Sequence, residues 1–310
     1  MHHYIKDLCE TIQNGEMENT YKMAWIRAIV ETCVLDPETK EIHFDQLSQN
    51  IFGYYWNQTI YFDLEQSPNP NKRPEIYKIV LEELKCYRSQ HGNQPKWYSR
   101  IQNKIDVPIQ KISSVLKKDV SWRFPKVGSK TYDFYDLDLT KRKISVHHPK
   151  LIKDYSKILF NLINYRWTQK LEEFNHSPRI SKKVLGTDRQ NIRRASLKKF
   201  RKYLDLENPR RICFYTGNQI ADKNLTIDHV IPWSYLFSDD LWNLVYVDRS
   251  YNSSKGNQIP NEDTINKLDN RNIKLMDKIK SKGMVGKNID ELELSISEGL
   301  VKKFWIGCQG

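Results

Sequence analysis

The sequence predicts an α+β protein, with a mainly helical N-terminal region that contains one β-hairpin, then a small ββα unit, then C-terminal helices. Three observations carry this. Apolar residues recur at helical spacing through most of the first half, aromatic and β-branched residues take over after Ser121, and a turn-rich stretch from Cys213 holds two short strand-like runs before a short helix. A chain of 310 residues exceeds the roughly 100–200 residues usual for one domain. We divide it into residues 1–175, a helical recognition or partner domain; 176–211, a basic helical connector; and 212–310, the ββα unit with its closing helices.

In chain order, Trp25, Ile26, Ile29, Val30, Cys33 and Val34 predict a helix that stops at Asp36-Pro37, and Ile76, Ile79, Val80, Leu84 and Tyr87 predict another between Pro74 and Gly92. Between them stand Phe52, Tyr54, Tyr55, Trp56, Tyr61 and Phe62. Aromatic faces can stack on unpaired bases, but aromatics this dense beside helical segments read as core. Tyr132–Leu139 and Lys143–His148, separated by Thr140–Arg142, predict the hairpin. His147 and His148, near Asp136 and Asp138, lack a metal-ligand spacing and read as a polar strand edge. A long helix is expected from Pro149, with Leu151, Ile152, Tyr155, Ile158, Leu159, Leu162, Ile163 and Trp167 on its apolar stripe and a boundary at Asn175–Pro178. Two more helices are expected over Thr264–Lys282 and Asn288–Trp305.

Composition narrows the function classes. Hydrophobic content of 39% is that of a folded chain rather than a disordered one. The cysteines (Cys9, Cys33, Cys86, Cys213, Cys308) are odd in number and scattered, which argues against a disulfide framework and for a reducing compartment. No apolar run approaches the ~18 residues needed to span a bilayer, and the first residues lack the apolar core of a signal peptide, so the expected location is cytoplasmic, away from membranes. A net charge of +12 makes a polyanion the default partner. Between Ser177 and Arg211, twelve basic residues face only Asp188, Asp205 and Glu207. That one-signed run, with Arg193, Arg194, Lys198 and Lys199 at its centre, reads as a phosphate-contacting segment.

Directly after it, residues 213–260 read CFYTGNQIADKNLTIDHVIPWSYLFSDDLWNLVYVDRSYNSSKGNQIP. Ile212–Tyr215 and Leu225–Asp228 read as two short strands and Arg249–Gly256 as a helix, the ββα order. Phosphodiester hydrolysis needs a nucleophile made from water and neutralisation of charge on the phosphoryl oxygens. An imidazole that titrates near neutrality can take the proton from water, and a carboxylate is the ligand that a hard cation prefers. Asp228-His229 sets those two groups side by side.

The opening Cys-x-Tyr-Thr-Gly (Cys213–Gly217), the core Asp-His-x-x-Pro (Asp228, His229, Pro232) and the closing Asn-x-x-Lys-Gly-Asn-x-x-Pro (Asn252, Lys255, Gly256, Asn257, Pro260) resemble the HNH, or ββα-metal, endonucleases. Within them the stretch is similar to the branch without a complete zinc knuckle, typified by the HNH domain of CRISPR RNA-guided nucleases. The resemblance implies an endonuclease with His229 as general base, Asp228 and Asn252 as ligands of one Mg2+ or Mn2+, and Asn243 as a structural brace beside the histidine. Arg249 and Lys255, on the Asn252 helix, are candidate phosphate contacts. Many HNH proteins hold a structural zinc with four cysteines. Here Cys213 stands with Thr216, Asp248 and Tyr251, so no structural zinc is expected. The expected substrate is DNA, duplex before single strands or RNA, and the expected setting is restriction or phage defence. The N-terminal half is available for homodimerisation or a protein partner. The competing reading is a nucleic-acid-binding or scaffold subunit of a defence complex, its HNH centre inactive or acting on RNA or single strands.

Overall fold

The computed structural model describes residues 2–192 and 194–309, so Arg193 lies outside the described residues. The chain folds as two compact units, one formed by Met1–Asn175 and Ile180–Asn191, the other by His176–Arg179 and Ile192–Gly310. The stretch 176–211 is thus divided between them.

The first unit is organised around the helix Tyr21–Leu35. Its apolar residues are not confined to a stripe, and residues on all sides of it are buried, the pattern of a helix enclosed by others. It packs on the helices Phe44–Phe62, Pro149–Asp154 and Ser156–Phe174. Phe52, Tyr55, Trp56 and Phe62 are buried, as the core reading of the aromatic cluster requires, while Tyr54 and Tyr61 are only half-buried. The hairpin forms from Tyr135–Asp138 and Lys143–Val146, paired antiparallel with Leu137 opposite Ile144. Its turn is held by Asp138, whose Oδ1 accepts the Thr140 and Lys141 N–H groups. Backbone bonds to Thr140 and Lys141 keep that carboxyl below the usual range, Lys141 first. Glu41–His43 adds a third strand on the far side of Lys143–Val146. Trp25 Nε1 donates to the Tyr135 hydroxyl, which donates to the Ser121 carbonyl, tying sheet to helices.

The helix expected from Pro149 breaks at Tyr155, between Pro149–Asp154 and Ser156–Phe174. It ends where Asn175 accepts the Glu65 N–H and donates to the Glu65 and Leu171 carbonyls. His147 pairs with Asp136 and Asp133 at the strand edge. Among the described residues no three or more His, Cys, Asp or Glu side chains are grouped so as to hold a metal, and no helix is long and apolar enough to cross a membrane.

The second unit contains one antiparallel pair, Leu225–His229 with Leu244–Asp248, followed at once by the helix Arg249–Lys255. The ββα order is present, but with a different first strand from the one expected. Ile212–Tyr215 is not a strand; it makes a single bridge, Ile212 to Gln219. Gly217, with φ 73°, turns the chain back so that its N–H reaches the Cys213 carbonyl, and Phe214 N–H then bonds Tyr246 O. Leu244–Asp248 escaped the sequence reading because Leu244, Val245, Tyr246 and Val247 are all buried, leaving no polar alternation to mark a strand. The basic stretch contributes Phe200, Tyr203 and Leu204 to the core of this unit. Glu262–Ser281, capped by the Asn261 side chain, closes the core. The last expected helix is split into Lys287–Ser297 and Leu300–Cys308 around Gly299, whose φ of 58° favours glycine.

Candidate active site

Asp228 and His229 end the first strand of the pair, opposite Val245 and Leu244. Successive strand residues face opposite ways, and these two side chains find different partners. Asp228, 8% exposed, faces the helix: its Oδ2 accepts from Lys255 Nζ at 2.8 Å and from the Tyr215 hydroxyl at 3.1 Å. His229, 6% exposed, faces the loop: its Nε2 lies 2.9 Å from Asp239 Oδ1. With the carboxylate as acceptor, Nε2 carries the proton and Nδ1 keeps the lone pair.

Lys255 is reached by the helix turn that follows Asp248. The Asp248 carboxylate caps this helix by accepting the Ser250 N–H at 2.9 Å. Hydrogen bonds from Ser250, its hydroxyl first, hold the Asp248 carboxyl below its ordinary range. Gly256, with φ 55°, ends the helix. Lys255 was expected on the helix surface, free for phosphate. Instead it is buried, and its ammonium also donates to the His229 carbonyl at 2.8 Å. An ammonium out of water needs a counter-charge, and Asp228 is that counter-charge. Tyr215 stacks on Tyr251 with ring centroids 4.8 Å apart. Burial first, then the Asp228 charge, pushes the Tyr215 phenol far up its scale, so it remains a neutral donor.

Asn243 is fully buried. Its Oδ1 accepts the Ile231 N–H and its Nδ2 donates to the Ile231 carbonyl, both at 2.8 Å, two residues beyond His229. Each buried group left unpaired costs about 1–3 kcal/mol, so Asn243→Ala is expected to lower unfolding stability by about 2–4 kcal/mol in denaturant titrations. A change within 0.5 kcal/mol would show that the two bonds do not brace this loop.

The other sequence candidates fall in three groups. Asn252 is half-buried, lies on the Lys255 face of the helix three residues earlier, and makes no side-chain hydrogen bond among the described residues. Arg194 is exposed, yet its guanidinium lies 4.8 Å from the Trp233 ring centre. Partial loss of water lowers its pKa, opposed by the charges of Asp228 and Asp239, which places it beside the centre. Lys198, Lys199 and Arg249 are exposed. Asp239 and Tyr215 had no distinguishing signal in the sequence: one is half of an Asp-Asp pair in a loop, the other one aromatic among several.

Cys213, Thr216, Asp248 and Tyr251, the positions of a zinc knuckle, line one recess. Burial raises the Cys213 thiol, but hydrogen bonds led by the Thr216 side chain outweigh it and bring the thiol below its ordinary value. Hydroxyl groups stand at two of the four places, where thiolates would hold zinc.

The buried Asp-His pair thus lies on a strand that is closed by a second strand and a following helix, a ββα arrangement. Residues 213–261 match the family model described as HNH endonuclease, so this chain carries an HNH endonuclease domain, which points to nuclease activity on a nucleic acid. Comparisons with curated proteins and with solved structures gave no match.

Proposed function

We propose that this chain is a metal-dependent endonuclease that hydrolyses phosphodiester bonds of DNA, duplex in preference to single strands. The observation that carries the reading is His229 held through Nε2 by Asp239 beside the buried Asp228. In that arrangement Nδ1 takes the proton from the attacking water as its oxygen bonds to phosphorus, and the bond from phosphorus to the leaving oxygen breaks. Asp239 fixes the ring and stabilises the imidazolium that forms, a positioning role.

The donor set fits a hard cation. Asp228 Oδ1 and the Asn252 amide have no protein hydrogen bond among the described residues, and one anionic and one neutral oxygen, completed by water and phosphate, suit Mg2+ or Mn2+. When bound, that ion supplies charge neutralisation at the phosphoryl oxygens. Lys255, inside, holds and orients the Asp228 carboxyl group through its 2.8 Å contact. Exposed Lys198, Lys199 and Arg249, with Arg194 at the rim, are proposed to hold the flanking phosphates. A restriction or phage-defence role is proposed from the pairing of a small HNH unit with a larger N-terminal unit, through which a second copy or a protein partner would bind.

The test is incubation of the chain with supercoiled plasmid, single-stranded DNA and RNA in Mg2+, Mn2+ or EDTA. Plasmid nicking or linearisation with either metal, abolished by EDTA, is expected. Cleavage of RNA alone would replace the substrate class. Salt-dependent binding without cleavage of any substrate would leave a binding module with an inactive centre.

A further inference from the structure

The first unit contains a recess that the nuclease reading does not use. It measures about 210 Å³, and each water takes only about 30 Å³ in the liquid, so it is large enough for a small organic ring. Its mouth is formed by the exposed Ser99, Gln102 and Gln190, and its depth by Asn57, Gln58 and Trp167.

Two features of the wall define what could occupy it. Asn57 and Gln58 are 7% and 3% exposed, and both have only their acceptor ends satisfied. Asn57 Oδ1 accepts the Tyr98 N–H and Gln58 Oε1 accepts from Gln66 Nε2, each at 2.9 Å. Among the described residues neither amide NH2 group has a hydrogen-bond acceptor. Neither nitrogen is among the fully enclosed polar atoms without a partner, so both reach open space and are free to donate to acceptors on whatever fills the recess. The second feature is charge. Among the described residues Arg27 is the one cation in the wall, and it is already spent on Glu31, Asp188 and the Asn164 side-chain amide oxygen. Two carboxyl groups against one guanidinium repel a phosphate or carboxylate. The NH2 groups, which can only donate, do not favour a cation.

Tyr54, Tyr98 and Trp167 add aromatic surface to a wall that also contains Gln49, Asn50, Val184 and Thr187. Burial and the neighbouring Glu31 hold the Tyr54 phenol protonated, so its hydroxyl stays bonded to Glu31. Gly53 allows Tyr98 to lie directly on its helix, since a Cβ there would come 2.7 Å from the Tyr98 ring.

We infer that this recess binds a neutral planar heterocycle with adjacent carbonyl or ring-nitrogen acceptors, a ligand of the nucleobase class. Amide side chains match the edges of bases, and aromatic walls accept their faces. The base can arrive as a free nucleoside or extruded from a strand. The inference does not depend on the nuclease reading, because binding is measured without metal and without cleavage.

The test titrates the full chain in EDTA, by calorimetry, with adenosine, guanosine, cytidine and thymidine, and with a short oligonucleotide carrying either an intact or an abasic central position. One-to-one binding of at least one nucleoside is expected, weakened about tenfold or more by Gln58→Leu, a variant that also loses the buried bond from Gln66 and is read only while a melting transition shows it folded. Should Gln58→Leu fail to fold, Asn50→Leu, a half-buried wall position without a side-chain hydrogen bond, reads the same loss. Binding only of the oligonucleotide, stronger with the intact base and reduced by the variant, supports the extruded source. No binding of any probe, or binding that the variants leave unchanged, overturns the inference.

Discussion

His229→Ala is expected to reduce metal-dependent plasmid cleavage by about 10²- to 10⁴-fold, the usual contribution of a positioned general base, while DNA affinity stays unchanged. The imidazole is fixed through Nε2 by Asp239, so the substitution removes the base that the proposal places at the attacking water. Asp239→Asn separates positioning from chemistry. An amide in place of the carboxylate can present an N–H to Nε2, favouring the tautomer whose Nδ1 is already protonated. Turnover should fall while KM holds, and the loss should be smaller than for removing the ring. Metal-dependent cutting by His229→Ala at the wild-type rate would remove His229 as the base.

Lys255→Met is expected to cost about 3–5 kcal/mol of unfolding stability in EDTA, because it strands a buried carboxylate without its counter-ion. Both members of this pair are deeply enclosed, with side chains 6% and 11% exposed, so solvent does little to relieve the charge. Added Mg2+ should return part of the loss, since a cation against Asp228 takes over the neutralising role. Denaturant unfolding with and without Mg2+ measures both effects. A stability change within 0.5 kcal/mol in EDTA would mean that Lys255 is a surface lysine after all.

Much of the fold was legible from local pattern. The hairpin at Tyr135–Val146 announced itself through β-branched and aromatic residues around a basic turn, and the helices through apolar spacing. Where the reading failed, long-range packing had overridden the local signal. Leu244–Asp248 is buried on both faces, so its continuous apolar run carries no period. The Cys213 segment has strand-like residues, yet Gly217 closes it into a turn whose hydrogen bonds go to Tyr246 and to itself.

The centre divides in the same way. Asp228, His229, Asn243 and Asn252 could be named as candidates because this stretch resembles HNH domains in residue types and spacing, and residues 213–261 match that family's model. The sequence by itself also determined the basic surplus and the absence of a cysteine quartet around Cys213. Only the tertiary structure decided which carboxylate faces the imidazole, that Lys255 turns inward to Asp228, and that Tyr215 joins it there. Those pairings cross ten or more residues of chain, and each depends on which face of a strand or helix is turned inward. That choice is made when apolar surfaces are buried together, so residue identity and spacing could name the parts of the centre without naming their partners.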